Sequence, residues 1–339
     1  MRSARREGRG WTLLLLVLTC VTLLAAAGCG GGSGEAESIG SATEPVGASA
    51  SPAASKSPDQ ETDFLEKFRS VAAGAKQASE LMSFLEDHIG DTNEDTADTM
   101  IRELNAYYKA DLKKLEEAYT DQGIQDKLVK LKWPITEDAV DSISDEAAKK
   151  LVKATFEGGY KLEMAEGYIF PIVDYSRLKA FSSHLSGAMN EYIAVKAVES
   201  DKPAAKDAAL VIAWDELASR AQIAEAFVKK HPDSPEREEI ELLYVERYLS
   251  MYIYGLNNTP IFDYETFVLL PEVKMSYEKT VQASPGSVTG TIVKDYLSVL
   301  AGTKEQVYEN KNGRQIDIPA VKDFHERFQA EAKERLQSR

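Results

Sequence analysis

Apolar positions along the chain follow two rhythms, one with a helical period and one with a period of two. Between Thr62 and Gly90, residues Phe64, Phe68, Val71, Ala75, Ala78, Met82 and Leu85 are spaced alternately by four and three. That spacing predicts an amphipathic helix starting near a Thr62 or Asp63 cap and ending at Gly90. A second stripe, Ile101, Leu104, Tyr108, Leu112, Leu115 and Tyr119, predicts another. Joined by a short polar link, the two helices make an antiparallel hairpin.

The link begins Asp91, Asn93, Asp95, the opening spacing of a calcium loop. Thr96 replaces the glycine that the turn needs, and Arg102 stands where a bidentate glutamate belongs. Asp95 or Thr96 capping the following helix accounts for these residues without a metal. Further helices are expected over 121–132 and 137–155, around Pro134.

The period then shortens. After Gly158 and Gly159, large apolar residues alternate with polar ones over Tyr160–Met164 and Tyr168–Val173. This predicts a β-hairpin over 159–174, with Ala165, Glu166 and Gly167 as a three-residue turn and Pro171 confining the second strand to an edge. Helical pattern returns from Ser186, runs over 205–230, and resumes after a Pro232–Pro235 break. Residues 255–272 interrupt it with Phe262, Tyr264 and Phe267, and short helices are expected over 272–283, 288–301 and 319–338. The chain therefore reads as mostly α: a helical hairpin region over 59–155, then a solenoid-like helical bundle over 156–339 bearing one small β-hairpin.

Around the break, Phe227, His231, Pro232, Asp233, Ser234 and Pro235 precede a new apolar stripe. Residues 205–255 resemble a tetratricopeptide-like helical hairpin unit, which implies a scaffold that can hold a peptide. Pro232 stops one helix, Asp233 would cap the next with Glu236 completing a capping box, and Pro235 suits a first turn.

The first 58 residues follow neither rhythm. Arg2, Arg5, Arg6 and Arg9 precede an uncharged run from Trp11 to Ala27, the layout of a secretory signal. Its small-residue exit, Ala26-Ala27-Gly28 before Cys29, resembles the lipobox of bacterial lipoproteins. The resemblance implies a signal peptide over 1–28, diacylglycerol on the Cys29 thiol, and a membrane partner reached through that lipid. Cleavage at an Ala-x-Ala site and an uncleaved anchor are the alternatives, and each places the remainder outside the cytoplasm. Residues 29–58, rich in Gly, Ser, Ala and Pro and without an aromatic, form a tether. As a coil it would span roughly 30 Å.

Cysteine usage agrees with that address. Cys20 and Cys29 are the two cysteines of the chain, so a body starting beyond residue 59 has no thiol for a disulfide, a nucleophile or a metal. The formal charge is −15, and −18 once residues 1–28, with four Arg and one Glu, are removed. Such acidity argues against nucleic acid, which is bound by neutralising phosphates.

Chemistry is sparsely signalled. The four histidines, His88, His184, His231 and His325, form no HExxH or i, i+4 pair, and no phosphate-loop, Rossmann or nucleophile-elbow pattern occurs. No cofactor is implied. One candidate surface is the hairpin, where Tyr160, Glu163, Glu166, Tyr168 and Asp174 gather acids among aromatics. Glu163 and Glu166 near the turn are most simply solvated. A second is the Tyr244, Tyr248, Tyr252 face, one turn apart, which would suit the concave side of a solenoid or else the core. The expected role is a non-enzymatic binding or scaffold lipoprotein at the outer face of a bacterial membrane, taking an envelope protein, peptide or glycan. The competing readings are a cell-wall hydrolase using paired hairpin carboxylates and a cation-binding lipoprotein.

Overall fold

The computed structural model describes residues 58–337, so Cys29 and the 1–28 and 29–58 segments lie outside the described residues. The architecture is mostly helical, as the periodicity predicts, and among the described residues it carries four small antiparallel strand pairs, of which the predicted hairpin is one.

The first stripe forms two helices rather than one: α1 (Pro58–Gly74) and α2 (Ala78–His88). The break has a local cause. A capping box closes at Gln77, with Glu80 reaching back to the backbone N–H groups of Lys76 and Gln77. The seam keeps its period across the break, which is why spacing alone does not reveal it. Helix α3 (Glu94–Tyr119) carries the second stripe. Its cap is Asn93, not Asp95 or Thr96: the Asn93 side chain accepts from the Thr96 N–H at 2.8 Å, and the acids fall in the first turn, where the helix dipole favours them. Arg102 pairs with Glu236 at 2.6 Å, and Asp98 accepts from the Ser186 N–H and hydroxyl. These bonds fasten α3 to the second half of the chain.

Helices α4 (Gln122–Leu128) and α5 (Glu146–Glu157), with a 3₁₀ turn over Glu137–Ser142, close a small core of Tyr119, Leu128, Ile135, Val152, Phe156, Leu162 and Ile169. Strands β1 (Tyr160–Ala165) and β2 (Tyr168–Val173) form the predicted hairpin. Ala165 pairs with Tyr168, so the turn has two residues rather than three. Glu166 and Gly167 both take positive φ, 49° and 78°, the geometry that matches the twist of a tight hairpin. Gln125 covers the β2 edge by exchanging hydrogen bonds with the backbone of Ile169.

Beyond the hairpin lie a 3₁₀ segment (Arg177–His184) and α6 (Gly187–Asp201), capped by Ser186. The expected helix over 205–230 begins only at Trp214. Strands β3 (Ala205–Lys206) and β4 (Ala209–Leu210) fold back first, around Asp207 and Ala208 with positive φ. Helix α7 (Trp214–Lys230) packs against α8 (Arg237–Leu242), which continues through a π-helical stretch (Leu243–Leu249) into α9 (Ser250–Tyr254). At the break it is the Ser234 hydroxyl, not Asp233, that accepts from the Glu236 N–H, and the Glu236 carboxylate in turn accepts from the Ser234 hydroxyl and from Arg102.

Strands β5 (Gly255–Leu256) and β6 (Thr259–Pro260) fall in the expected non-helical stretch. Helices α10 (Pro271–Ala283), α11 (Val288–Gly302) and α12 (Pro319–Gln337) complete the body. The pair β7 (Tyr308–Lys311) and β8 (Arg314–Asp317), around Asn312-Gly313, was not expected. A continuous apolar cluster runs from Phe68 of α1 to Leu336 of α12, so residues of both sequence regions enter the larger of the two cores. No helix among the described residues is long and apolar enough to cross a membrane.

Candidate ligand-binding cleft

Where β2, α3, α6 and the α8–π helix meet, they line an open recess of about 410 Å³. Its apolar wall comes from Leu112 of α3, Phe170, Ile172 and Val173 of the hairpin, Pro203, and Leu243. The opposite wall is ionic. Lys196 pairs with Glu239 at 2.5 Å and lies 4.9 Å from the centre of the Tyr175 ring. Three positions along α6, Glu199 pairs with Arg247, and also receives the Tyr248 hydroxyl at 2.8 Å and Arg220 at 3.4 Å.

Burial and charge oppose each other here. Burial disfavours the Lys196 ammonium, yet Tyr175 and Glu239 outweigh it and raise its pKa. Glu239 is likewise desolvated, but Lys196 and Lys109 hold its carboxyl below the ordinary value. For Arg247 burial wins and the pKa falls, although Glu199 opposes the shift. The Arg247 Nε is buried with no hydrogen-bond partner. An incompletely satisfied guanidinium is costly unless something else engages it. Arg247 lies on the π-helical stretch, a distortion often found at functional sites.

The hairpin residues that sequence grouped together do not form one surface. Tyr160 is buried, stacked edge-on against Tyr108, with its hydroxyl donating to Asp111 at 2.9 Å. Asp174 accepts from the Ser176 N–H and lies 3.4 Å from Lys161. Glu166 projects from the exposed turn. Glu163 is not solvated: it is 1 % exposed, accepts from the Met164 N–H, and has Lys206 at 3.9 Å. Burial raises its pKa against both of those influences. The carboxyls of Glu163 and Glu166, one enclosed and one outside, are therefore not an opposed pair across an open groove. Tyr168 is 39 % exposed and stacks on Phe170, which lines the cleft.

The tyrosine face is core rather than a concave surface. Tyr244, Tyr248 and Tyr252 are fully enclosed, and each hydroxyl is bonded: to Thr289 at 3.0 Å, to Glu199, and to Ser276 and Thr280. Aromatics bury large areas, and a tyrosine so placed needs a partner for its hydroxyl. The helical period is the same for a core stripe and a binding stripe.

Sequence reading passed over Lys196, Glu199, Glu239 and Arg247. The available signal was Lys196, a charge inside the apolar run Tyr192–Val198. Among the described residues no group of three or more His, Cys, Asp or Glu side chains is placed to hold a metal ion.

The fold and cleft define a mostly helical body with an open, amphipathic recess. No family model matches the chain, and neither a curated protein nor a solved structure matches it significantly.

Proposed function

We propose that the chain is a lipid-anchored, extracytoplasmic binding protein of the bacterial envelope, and that a peptide or glycan occupies the recess between the β-hairpin and α6. The observation that carries the binding role is the recess itself. It opposes an apolar wall to two cross-helix ion pairs, and one arginine there is left with an unused donor. Such mixed lining orients a ligand through a few polar groups while apolar area supplies affinity. The address is supported by the basic start, apolar run and lipobox-like exit at Cys29.

Two measurements test this. The full chain in detergent is titrated by calorimetry with peptide and glycan fragments released from bacterial envelopes. Saturable binding is expected, abolished by Ile172→Glu, which places a charge on the apolar wall; binding insensitive to that substitution would overturn the cleft assignment. Separately, Cys29→Ser should move the protein from the membrane fraction to the soluble extracytoplasmic fraction. Unchanged fractionation would refute the lipid anchor.

A further inference from the structure

The acids lining the cleft are not equivalent. Glu199 and Glu239 are each committed to cations, whereas Glu116 of α3 has no ion-pair or hydrogen-bond partner among the described residues. Glu116 lines the same cavity as Phe170, and Phe170 carries the stacked, outward-facing Tyr168 ring at 6.4 Å between centroids and 17° between planes. The cleft thus has an unpaired carboxylate and an aromatic ring in its lining, and that ring is extended by a second, roughly parallel one just beyond it.

Resting on the cleft reading above, we propose that this part of the cleft is a subsite for a primary ammonium group, the side chain of a lysine-like residue in a bound peptide, seated on Tyr168 and Phe170 with Glu116 as its counter-ion.

Three physical arguments support it. The face of an aromatic ring is the negative pole of its quadrupole and attracts a cation placed over it. Glu116 is a solvent-exposed residue, and the limited burial of its carboxyl raises its pKa; a cation beside it would favour the charged form. Tyr168 feels the same excess of negative charge, its phenol pKa raised by burial and then by Glu116. An ammonium fits better than a quaternary group because its N–H donors can bond the carboxylate. The acidic chain also draws cations toward the site.

The test uses a matched pair of probes with the full chain in detergent at low ionic strength. The acetylated and amidated tripeptide Ala-Lys-Ala is compared with its norleucine analogue, which keeps the aliphatic stem and lacks the charge. Calorimetry should give the lysine peptide an advantage of about fivefold. Glu116→Gln and Tyr168→Ala should each erase that advantage, and Tyr168→Phe should preserve it. Thermal melting within the wild-type range confirms that the variants fold. Equal affinity for the two peptides, with both lost in Ile172→Glu, would overturn the subsite and leave the cleft reading standing. Binding of either probe that ignores Ile172→Glu would overturn both. N-acetylglucosamine binding more tightly than the lysine peptide would mark the aromatic pair as a sugar platform and also overturn the proposal.

Discussion

Glu225 offers the sharpest test of how the C-terminal half is held. It stands on α7, is 3 % exposed, and faces the start of α11. Its carboxylate accepts from the Val288 N–H at 2.7 Å, the Thr289 N–H at 2.9 Å and the Thr289 hydroxyl at 2.9 Å. The first backbone N–H groups of any helix lack internal partners; here Ser287 serves that of Gly290, and Glu225, 63 positions from Val288 in sequence, serves those of Val288 and Thr289. Glu225→Ala removes these charge-assisted bonds and leaves two amides buried without partners. With each unsatisfied buried group costing about 1–3 kcal/mol, the loss should be on the order of 4 kcal/mol. For a body of this size that corresponds to a fall in Tm of about 7 °C. Glu225→Gln keeps one acceptor oxygen but turns an N–H₂ toward another donor, so roughly half the loss is expected. Urea unfolding followed by circular dichroism reads both. Lys229→Met is the control: it removes only the half-exposed lysine 3.1 Å from Glu225 and should cost less than about 1 kcal/mol. A loss below about 1 kcal/mol in Glu225→Ala would refute the claim that α11 is capped from α7.

Other predictions rest on separate features. Burial raises the Glu163 pKa above its ordinary 4.5, so the folded state holds that proton more tightly than the unfolded chain, and stability falls as pH rises through the window just above 4.5. Glu163→Gln should therefore leave stability unchanged below that window and increase it at neutral pH, as urea unfolding at several pH values would show; no gain at neutral pH counts against the burial penalty. His325 is pushed down to about 4 by burial, with Asp317 opposing weakly, so its contribution is lost as pH falls from the unfolded value of about 6.5 toward 4. An imidazole NMR titration should give a midpoint near 4, and a midpoint near 6.5 would refute the prediction. Gly159 has φ of 80°, and a Cβ there would lie 2.2 Å from the Tyr108 hydroxyl. Gly159→Ala should cost about 2 kcal/mol or more by urea unfolding, and a neutral result would show that the α5–β1 junction can shift.

The helical character of the chain was legible because stripes such as Ile101, Leu104 and Tyr108 bury on one side, as their spacing demands. Finer features escaped for identifiable reasons. The four–three seam is indifferent to the break at Gln77, which is set by a local capping box. The polar strands of the β7–β8 pair offered no alternation, although Asn312-Gly313 is a strong turn signal. Glu163 looked solvent-facing because a period of two implies one wet face, whereas both faces of this hairpin are covered: Leu162 and Ile169 enter the small core while Glu163 is enclosed near Lys206. The cleft was beyond reach for a different reason. Glu116, Phe170, Lys196 and Arg247 come from four separate elements, and nothing in their local patterns states that those elements converge.

The hairpin's position as a wall shared by two cores has a consequence for how occupancy would be felt. Tyr160 belongs to the large cluster, while Leu162 and Ile169 belong to the small one formed with α4 and α5. Filling the recess would brace one side of a partition whose other side leans on the smaller of the two packed masses. Amide hydrogen exchange should therefore slow most in residues 122–157, which do not border the recess.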